Sequence, residues 1–199
     1  MKKIVLVSIC VFFLCSCNSS NKEEKERLAI YNEALLTFSP NYIGHFPFDL
    51  THYNRRNLYV YHPGSTKYNL KAGLVLDTWA DSVYFKETYR VLKNRSFTSC
   101  SILNDTLVLI GDSIADYSNI EHGKPLPAFS DIHDKFGLSD NRLTGKEIVY
   151  FIETKKGEFL ENEELVKGLK LPKEWEHGLS RGITVDTVEY RLVYWLVMW

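Results

Sequence analysis

Apolar residues after the amino-terminal region follow a helical period. The first stripe consists of Leu28, Tyr31, Leu35 and Phe38, at positions i, i+3, i+7 and i+10. This spacing is typical of one face of an α-helix and predicts a helix from about Lys22 to Phe38. Ser39-Pro40 is expected to end it, because proline cannot continue a helix.

Alternation of apolar and polar residues predicts two strands after an irregular loop at residues 40–56. The first strand runs from Asn57 to His62 and the second from Ala72 to Leu76. Thr78-Trp79-Ala80-Asp81 resembles a capping box and predicts that a helix begins there and continues to about Lys93. The residues predicted to face inward from this helix are Phe85, Tyr89 and Leu92.

Two further apolar runs predict a β-hairpin. Ser96–Leu103 and Thr106–Ile110 flank Asn104-Asp105, and these residue types tolerate the positive φ of a tight turn. The sequence therefore predicts a strand–helix–strand–strand unit over residues 72–110.

The pattern of apolar residues in the carboxyl-terminal part predicts further β-strands. Residues 115–146 are loop-rich and contain Lys124-Pro125-Leu126-Pro127, whereas Glu147–Thr154 has the pattern of a strand. Arg181–Val185 and Val188–Val197 predict a second hairpin. The last strand is apolar on both faces, which is typical of a central, buried strand.

The chain starts with the pattern of a secretory signal. Met1-Lys2-Lys3 precedes an apolar run from Ile4 to Leu14. A run of about 11 residues is too short to span roughly 30 Å of hydrocarbon as a helix, but it suits the centre of a signal peptide. Leu14-Cys15-Ser16-Cys17 resembles the lipobox of type II signal peptides. The resemblance implies cleavage before Cys17 and anchoring through acyl chains, palmitate among them, on that cysteine; two or three chains hold a protein stably.

The residues after Cys17 indicate the membrane to which the lipoprotein would be delivered. Asn18 favours delivery to the outer membrane, and Lys22-Glu23-Glu24 resembles the export signal of Bacteroidota-type surface lipoproteins. A solvated tether would have the same composition, so the periplasmic and surface sides both stay open. We therefore assign residues 1–16 to a signal peptide, 17–22 to a lipidated tether and 23–199 to a single α+β domain. The predicted domain has a mostly antiparallel sheet, an N-terminal helix and one helix in the strand–helix–strand–strand unit.

Composition narrows the classes of function. The chain has 199 residues, enough for a domain with a real core, and its formal net charge is −1. There is no basic excess, which argues against nucleic acid as a partner. With the signal peptide removed and Cys17 acylated, Cys100 is the remaining thiol, so no internal disulfide is expected. Aromatic residues make up 14% of the chain and suit both a dense core and contact surfaces.

The sequence contains none of the common catalytic signatures, such as G-x-S-x-G, the phosphate-binding loop or H-E-x-x-H. We therefore predict no catalytic residues, no metal ligands and no cofactor. The alternatives considered are a mixed His and Asp metal site, an orienting His–Asp pair, a reactive thiol and a carboxylate pair for glycoside hydrolysis. The metal site would use His45, Asp49, His52 and His62, and the orienting pair would be His133-Asp134. The thiol would be that of Cys100, and the carboxylates would come from Glu158, Glu161, Glu163 and Glu164.

Four triplets pair aspartate with a hydroxyl residue and an apolar residue, and they resemble the O-glycosylation sequon of Bacteroidota-type envelope proteins. They are Asp81-Ser82-Val83, Asp105-Thr106-Leu107, Asp112-Ser113-Ile114 and Asp186-Thr187-Val188. Asp-Ser and Asp-Thr pairs also favour turns and helix caps, which suits the first two triplets. Ser113 and Thr187 are therefore the predicted acceptors.

The mature part resembles small Bacteroidota-type envelope lipoproteins that have no assigned activity, through Asn41–Pro47 and Tyr194-Trp195. The leading hypothesis is a non-catalytic binding or accessory module of the outer membrane. Its partners would be the membrane, through Cys17, and an envelope protein or glycan, contacted by loops 40–56 and 115–146. The alternatives are an envelope hydrolase acting on glycan or peptide and a structural protein of an envelope complex.

Overall fold

The computed structural model describes residues 25–26, 28–61, 72–111, 116–128, 145–159 and 170–199. The chain forms two compact units, Met1–Pro40 and Asn41–Trp199. In the first unit, residues 28–37 form helix α1, as the apolar stripe predicts. The predicted signal peptide, Cys17 and the predicted tether lie outside the described residues. None of the described helices is long and apolar enough to cross a membrane.

The described residues of the second unit contain eight strands and two α-helices, α2 (Pro40–Ile43, beginning at the boundary) and α3 (Ser82–Asn94). A short 3₁₀ helix spans Lys173–Trp175. The strands are β1 (Tyr53–Tyr61), β2 (Ala72–Ala80), β3 (Thr98–Ser101), β4 (Leu107–Ile110), β5 (Lys124–Pro127), β6 (Ile148–Lys156), β7 (Gly178–Asp186) and β8 (Arg191–Met198).

Six of these strands form an antiparallel sheet in the order β1-β2-β8-β7-β6-β3. A second sheet pairs β4 with β5 in parallel. The α+β prediction with a mostly antiparallel sheet is confirmed, as is the helix between β2 and β3. Strand β8 has all eight residues buried and lies between β2 and β7, so its predicted central place is also confirmed.

The predicted carboxyl-terminal hairpin is strands β7 and β8, which pair from Leu179 with Met198 to Asp186 with Arg191. Its turn is built by the Asp186 side chain. One carboxylate oxygen accepts the N–H groups of Val188 and Glu189 at 2.7 and 3.1 Å. Aspartate favours such turns because its short side chain can replace a main-chain acceptor.

The start of helix α3 corrects the predicted capping box. Thr78 lies within β2, fully buried, and its hydroxyl donates to the Leu192 carbonyl at 3.1 Å. The cap is instead Asp81, whose carboxylate accepts the N–H groups of Val83 and Tyr84 at 3.0 and 2.9 Å. The strand continues past Leu76 because its neighbour β8 continues beside it as far as Trp79.

The predicted hairpin at Asn104-Asp105 is wrong. Strand β3 pairs with β6, whereas β4 leaves the large sheet and pairs with β5. Two successive turns separate the strands: the Asn104 N–H donates to the Ser101 carbonyl, and the Leu107 N–H donates to the Asn104 carbonyl. Strand β3 is largely exposed and β4 largely buried, so the two strands need different surroundings.

The predicted loop at Lys124-Pro125-Leu126-Pro127 is strand β5. Proline is compatible with a strand at the edge of a sheet, where its missing N–H has no ladder partner to serve. The small sheet covers one face of the large sheet. The main core lies between them and includes Val108, Ile110, Leu126, Val193, Trp195 and Val197. Helix α3 contacts the other face, for example through the rings of Tyr89 and Tyr150, whose centroids lie 6.5 Å apart.

Candidate ligand-binding groove

A groove runs between helix α3 and the segment 44–48, above strands β6, β7 and β8. It encloses about 630 Å³, a volume typical of small-molecule sites. The helix contributes Tyr84, Glu87, Thr88, Val91, Leu92 and Arg95. These residues recur at helical spacing and form one stripe. From Tyr84 to Arg95 the stripe is roughly 16 Å long at a rise of about 1.5 Å per residue.

The wall opposite the helix is aromatic. Phe46 is buried and its ring contacts that of Tyr194 on β8, with centroids 6.0 Å apart. Phe48, two residues further on, has 78% of its surface exposed at the rim of the groove. Ile152 and Ile183 supply an aliphatic floor from β6 and β7. The groove therefore presents apolar surface on this wall and on its floor.

His45 fastens this wall to the sheet. Its Nε2–H donates to the main-chain carbonyl of Trp195 at 3.0 Å, so the proton of the neutral ring lies on Nε2. Nδ1 is buried and makes no hydrogen bond of ordinary geometry with a described residue. Burial lowers the pKa of His45 to about 4, because a charged imidazolium would lose its hydration there. The ring is therefore neutral at neutral pH.

Two charged residues of the groove are neutralised locally. Glu87 accepts both guanidinium bonds of Arg90, at 2.6 and 2.9 Å, and this hydrogen bonding holds the pKa of Glu87 below its usual range. Arg181 on β7 donates from Nε to Glu153 at 2.9 Å and from Nη1 to the Asn41 carbonyl. The Glu87–Arg90 pair leaves no net charge facing a ligand, whereas Glu153 is shared between Arg181 and Lys155.

The hydroxyl groups of Tyr84, Thr88 and Tyr194 line the groove, and Tyr194 belongs to a buried tyrosine pair. Tyr194 and Tyr53 share a hydrogen bond of 2.8 Å between their hydroxyl oxygens. Burial raises the pKa of both phenols above the usual range, so both are neutral in the folded protein. Tyr84 packs edge-on against Tyr53, with ring centroids 5.2 Å apart. This cluster therefore gives the floor a polar but uncharged end.

Arg95 carries the remaining charge of the lining. It lies at the carboxyl end of α3, is exposed, and has its guanidinium 5.8 Å from the centroid of the Phe97 ring. Among the described residues no carboxylate forms an ion pair with it. The end of the groove at Arg95 is therefore both aromatic and cationic.

The structure separates the metal-site candidates. His45 is bound to Trp195, whereas His52 contacts Asp81 at 3.1 Å and stacks on Tyr84. Asp49 accepts bonds from Thr51, and His62 lies outside the described residues. In the part of the chain that the structure describes, no three His, Cys, Asp or Glu side chains are arranged to hold a metal ion.

The other candidates do not converge on the groove. Cys100 lies on edge strand β3, half-buried, and burial raises the pKa of its thiol, which disfavours the reactive thiolate. Glu158 is exposed, 4.0 Å from His177. Glu161, Glu163, Glu164 and His133-Asp134 lie outside the described residues.

Of the two predicted glycosylation sites, the structure describes Thr187 and not Ser113. Thr187 is exposed in the turn between β7 and β8, directly after the turn-forming Asp186. Ser113 lies outside the described residues. Ser82 is also exposed and follows Asp81, the cap of α3, so the first and last triplets have similar local geometry.

Sequence reasoning missed the groove and a buried ion pair. Arg191 on β8 binds Asp77 on β2 through two bonds of 2.7 and 2.9 Å, and its guanidinium lies 5.0 Å from the Trp79 ring centroid. The one available signal for the groove was the second stripe on α3, beside the buried Phe85 and Leu92.

No protein-family model, curated protein or solved structure matches the chain.

Proposed function

We propose that this chain is an outer-membrane lipoprotein, anchored through acyl chains on Cys17, whose domain is a non-catalytic binding module. The observation that carries the proposal is the groove between α3 and the segment 44–48. The lipobox at Leu14–Cys17 supports the anchor. The tether places the domain beside the membrane, where envelope components are its available ligands.

The lining of the groove supports binding through apolar contact. Phe48 exposes most of its ring to water at the rim, and covering such a ring releases free energy in proportion to the area removed from water. Phe46 and Pro47, its buried neighbours, hold this wall in place. An exposed aromatic ring on a fixed wall is typical of residues that dominate binding interfaces.

The polar groups of the groove support binding rather than bond cleavage. A general acid or base needs a group that can exchange a proton with the ligand. Glu87 is held as a carboxylate by Arg90, and the Nε2 proton of His45 is used on the Trp195 carbonyl. Glu87 is therefore paired within its own helix, and the other nitrogen of His45, Nδ1, is a weak base because burial lowers the pKa of the ring to about 4.

Capture from envelope extracts tests the proposal. The lipidated full-length chain would be tagged, held in phosphatidylcholine nanodiscs and incubated with solubilised envelope proteins and glycans. We expect an envelope component to be enriched by the parent and lost from Phe48→Ala. Leu103→Ala is the matched control, since Leu103 is 75% exposed and does not line the groove. Equal recovery by the parent and Phe48→Ala would contradict a role for the groove.

A further inference from the structure

We propose that the groove binds a single-chain amphiphile with an anionic head group, its apolar chain lying along α3 and its carboxylate at Arg95. This inference rests on the proposed function, because it names the occupant of the same groove. It follows from three properties of the lining: its shape, its capacity for hydrogen bonding and its charge.

The shape suits an extended apolar chain. Val91 of the helix is 36% exposed and lies in the groove with Phe48 of the opposite wall and Ile152 of the floor. The helical stripe that borders the groove is roughly 16 Å long at about 1.5 Å per residue. The apolar residues along this groove can remove part of a linear hydrocarbon from water.

The hydrogen-bonding capacity of the lining disfavours a peptide or a glycan. Both carry polar groups along their whole length, and each polar group that is buried without a partner costs free energy. The Tyr194 hydroxyl is bonded to Tyr53, and Arg181 is bonded to Glu153 and Asn41. Glu87 is bonded to Arg90. A ligand whose polar atoms are confined to one end matches this lining better.

The charge of the lining selects an anionic head group. His45 is neutral at neutral pH, Glu87 is compensated by Arg90, and Arg181 is bonded to Glu153, a carboxylate that it shares with Lys155. Arg95 is exposed and forms no ion pair with a described residue. A guanidinium binds a carboxylate through two parallel hydrogen bonds, so Arg95 favours a carboxylate at that end of the groove.

Three ligands of equal chain length test the head group: decanoate, decanol and decylammonium. Their binding to the full-length protein in phosphatidylcholine nanodiscs would be measured by titration calorimetry, with the heats of empty nanodiscs subtracted. We expect decanoate to bind more tightly than decanol by roughly twofold to fivefold, the range of a solvent-exposed ion pair, and decylammonium to bind weakest. Equal binding of the three ligands, or no heat beyond that of empty nanodiscs, would overturn the inference.

Arg95→Gln should remove the preference for decanoate and leave the binding of decanol unchanged. Lys93→Gln is the matched control, because it removes the same charge from the same helix at a residue outside the groove. Arg95 is exposed, so both variants should retain the parent's circular dichroism spectrum. Undiminished preference in Arg95→Gln would overturn the inference. If the amphiphiles fail while envelope capture still depends on Phe48, the inference fails and the proposed function stands.

Discussion

The imidazole of His45 is bonded to the main-chain carbonyl of Trp195, a residue 150 positions further along the chain. This bond joins the segment that forms one wall of the groove to the central strand of the sheet. The ring that makes this bond is neutral at neutral pH, because burial lowers the pKa of His45 to about 4, below the ordinary value of 6.5.

Acid should therefore weaken the fold through His45. Between pH 6.5 and 4 the unfolded chain binds a proton at this histidine and the folded chain does not. The stability that His45 contributes is present above pH 6.5 and is lost as the pH falls towards 4. The loss is on the order of 3 kcal/mol for one such group.

Urea unfolding of the parent at a series of pH values measures this loss. His45→Gln should be less stable than the parent at neutral pH and should lose less stability on acidification. His52→Gln is the control, since His52 is an exposed histidine paired with Asp81. Parallel pH profiles for the parent and His45→Gln would show that another group is responsible.

The buried pair of Arg191 and Asp77 should be costly to break. Both side chains are almost fully buried, at 4% and 1% exposure, and they share two hydrogen bonds. Asp77→Ala would leave the guanidinium without this carboxylate, and removing one partner of a buried pair costs about 3–5 kcal/mol. Chemical denaturation would show this loss as a lower midpoint.

A surface pair provides the comparison for Asp77. Glu87→Gln breaks the exposed pair with Arg90 on α3, and exposed pairs contribute little to stability because water and salt screen them. We expect the midpoint of Glu87→Gln to stay close to that of the parent. Similar midpoints for Asp77→Ala and Glu87→Gln would contradict the role assigned to the buried pair.

The anchor is tested by metabolic labelling with radiolabelled palmitate. Label should appear in the parent and disappear in Cys17→Ser, because the lipobox resemblance makes this thiol the acylated one. Cys15→Ser is a matched control two residues away, within the predicted signal peptide. Label that persists in Cys17→Ser would contradict the assignment of the lipidated residue.

The glycosylation sites are tested by intact mass. We expect the mass of the purified protein to exceed that of the acylated chain, and Thr187→Ala and Ser113→Ala each to remove part of the excess. Ser82→Ala should leave the excess unchanged, since the triplet at Asp81 is assigned to the helix cap. A parent mass equal to that of the acylated polypeptide would rule out both predicted acceptors.

The sequence predicts an element correctly where the apolar pattern of its own residues shows how deeply it is buried. Strand β8 is apolar on both faces, and that pattern indicates a central strand without knowledge of its neighbours. The turn at Asn104 shows the limit of this reasoning. Asparagine stabilises a turn locally by accepting the Thr106 N–H at 2.9 Å, but a turn does not determine which strand pairs with which.

The groove was less accessible from sequence because its walls are distant in the chain. His45 and Tyr194 line the same groove but lie near opposite ends of the domain's sequence. On α3, the buried positions Phe85 and Leu92 were predicted correctly. The neighbouring stripe that ends at Arg95 mixes charged, polar and apolar residues. Such a mixture is typical of the solvent-facing side of a helix.

The order of strands in the large sheet has a consequence for the timing of folding. Strands β1 and β2 are synthesised early and pair with each other, but the second neighbour of β2 is β8, which follows all the other described strands in the chain. Contacts between residues this far apart form late, since closing the long intervening loop costs entropy. The large sheet therefore cannot be completed during synthesis until β8 has been made. If the chain is exported as we propose, a polypeptide that stays unfolded until then remains thin enough to be threaded through a secretion channel.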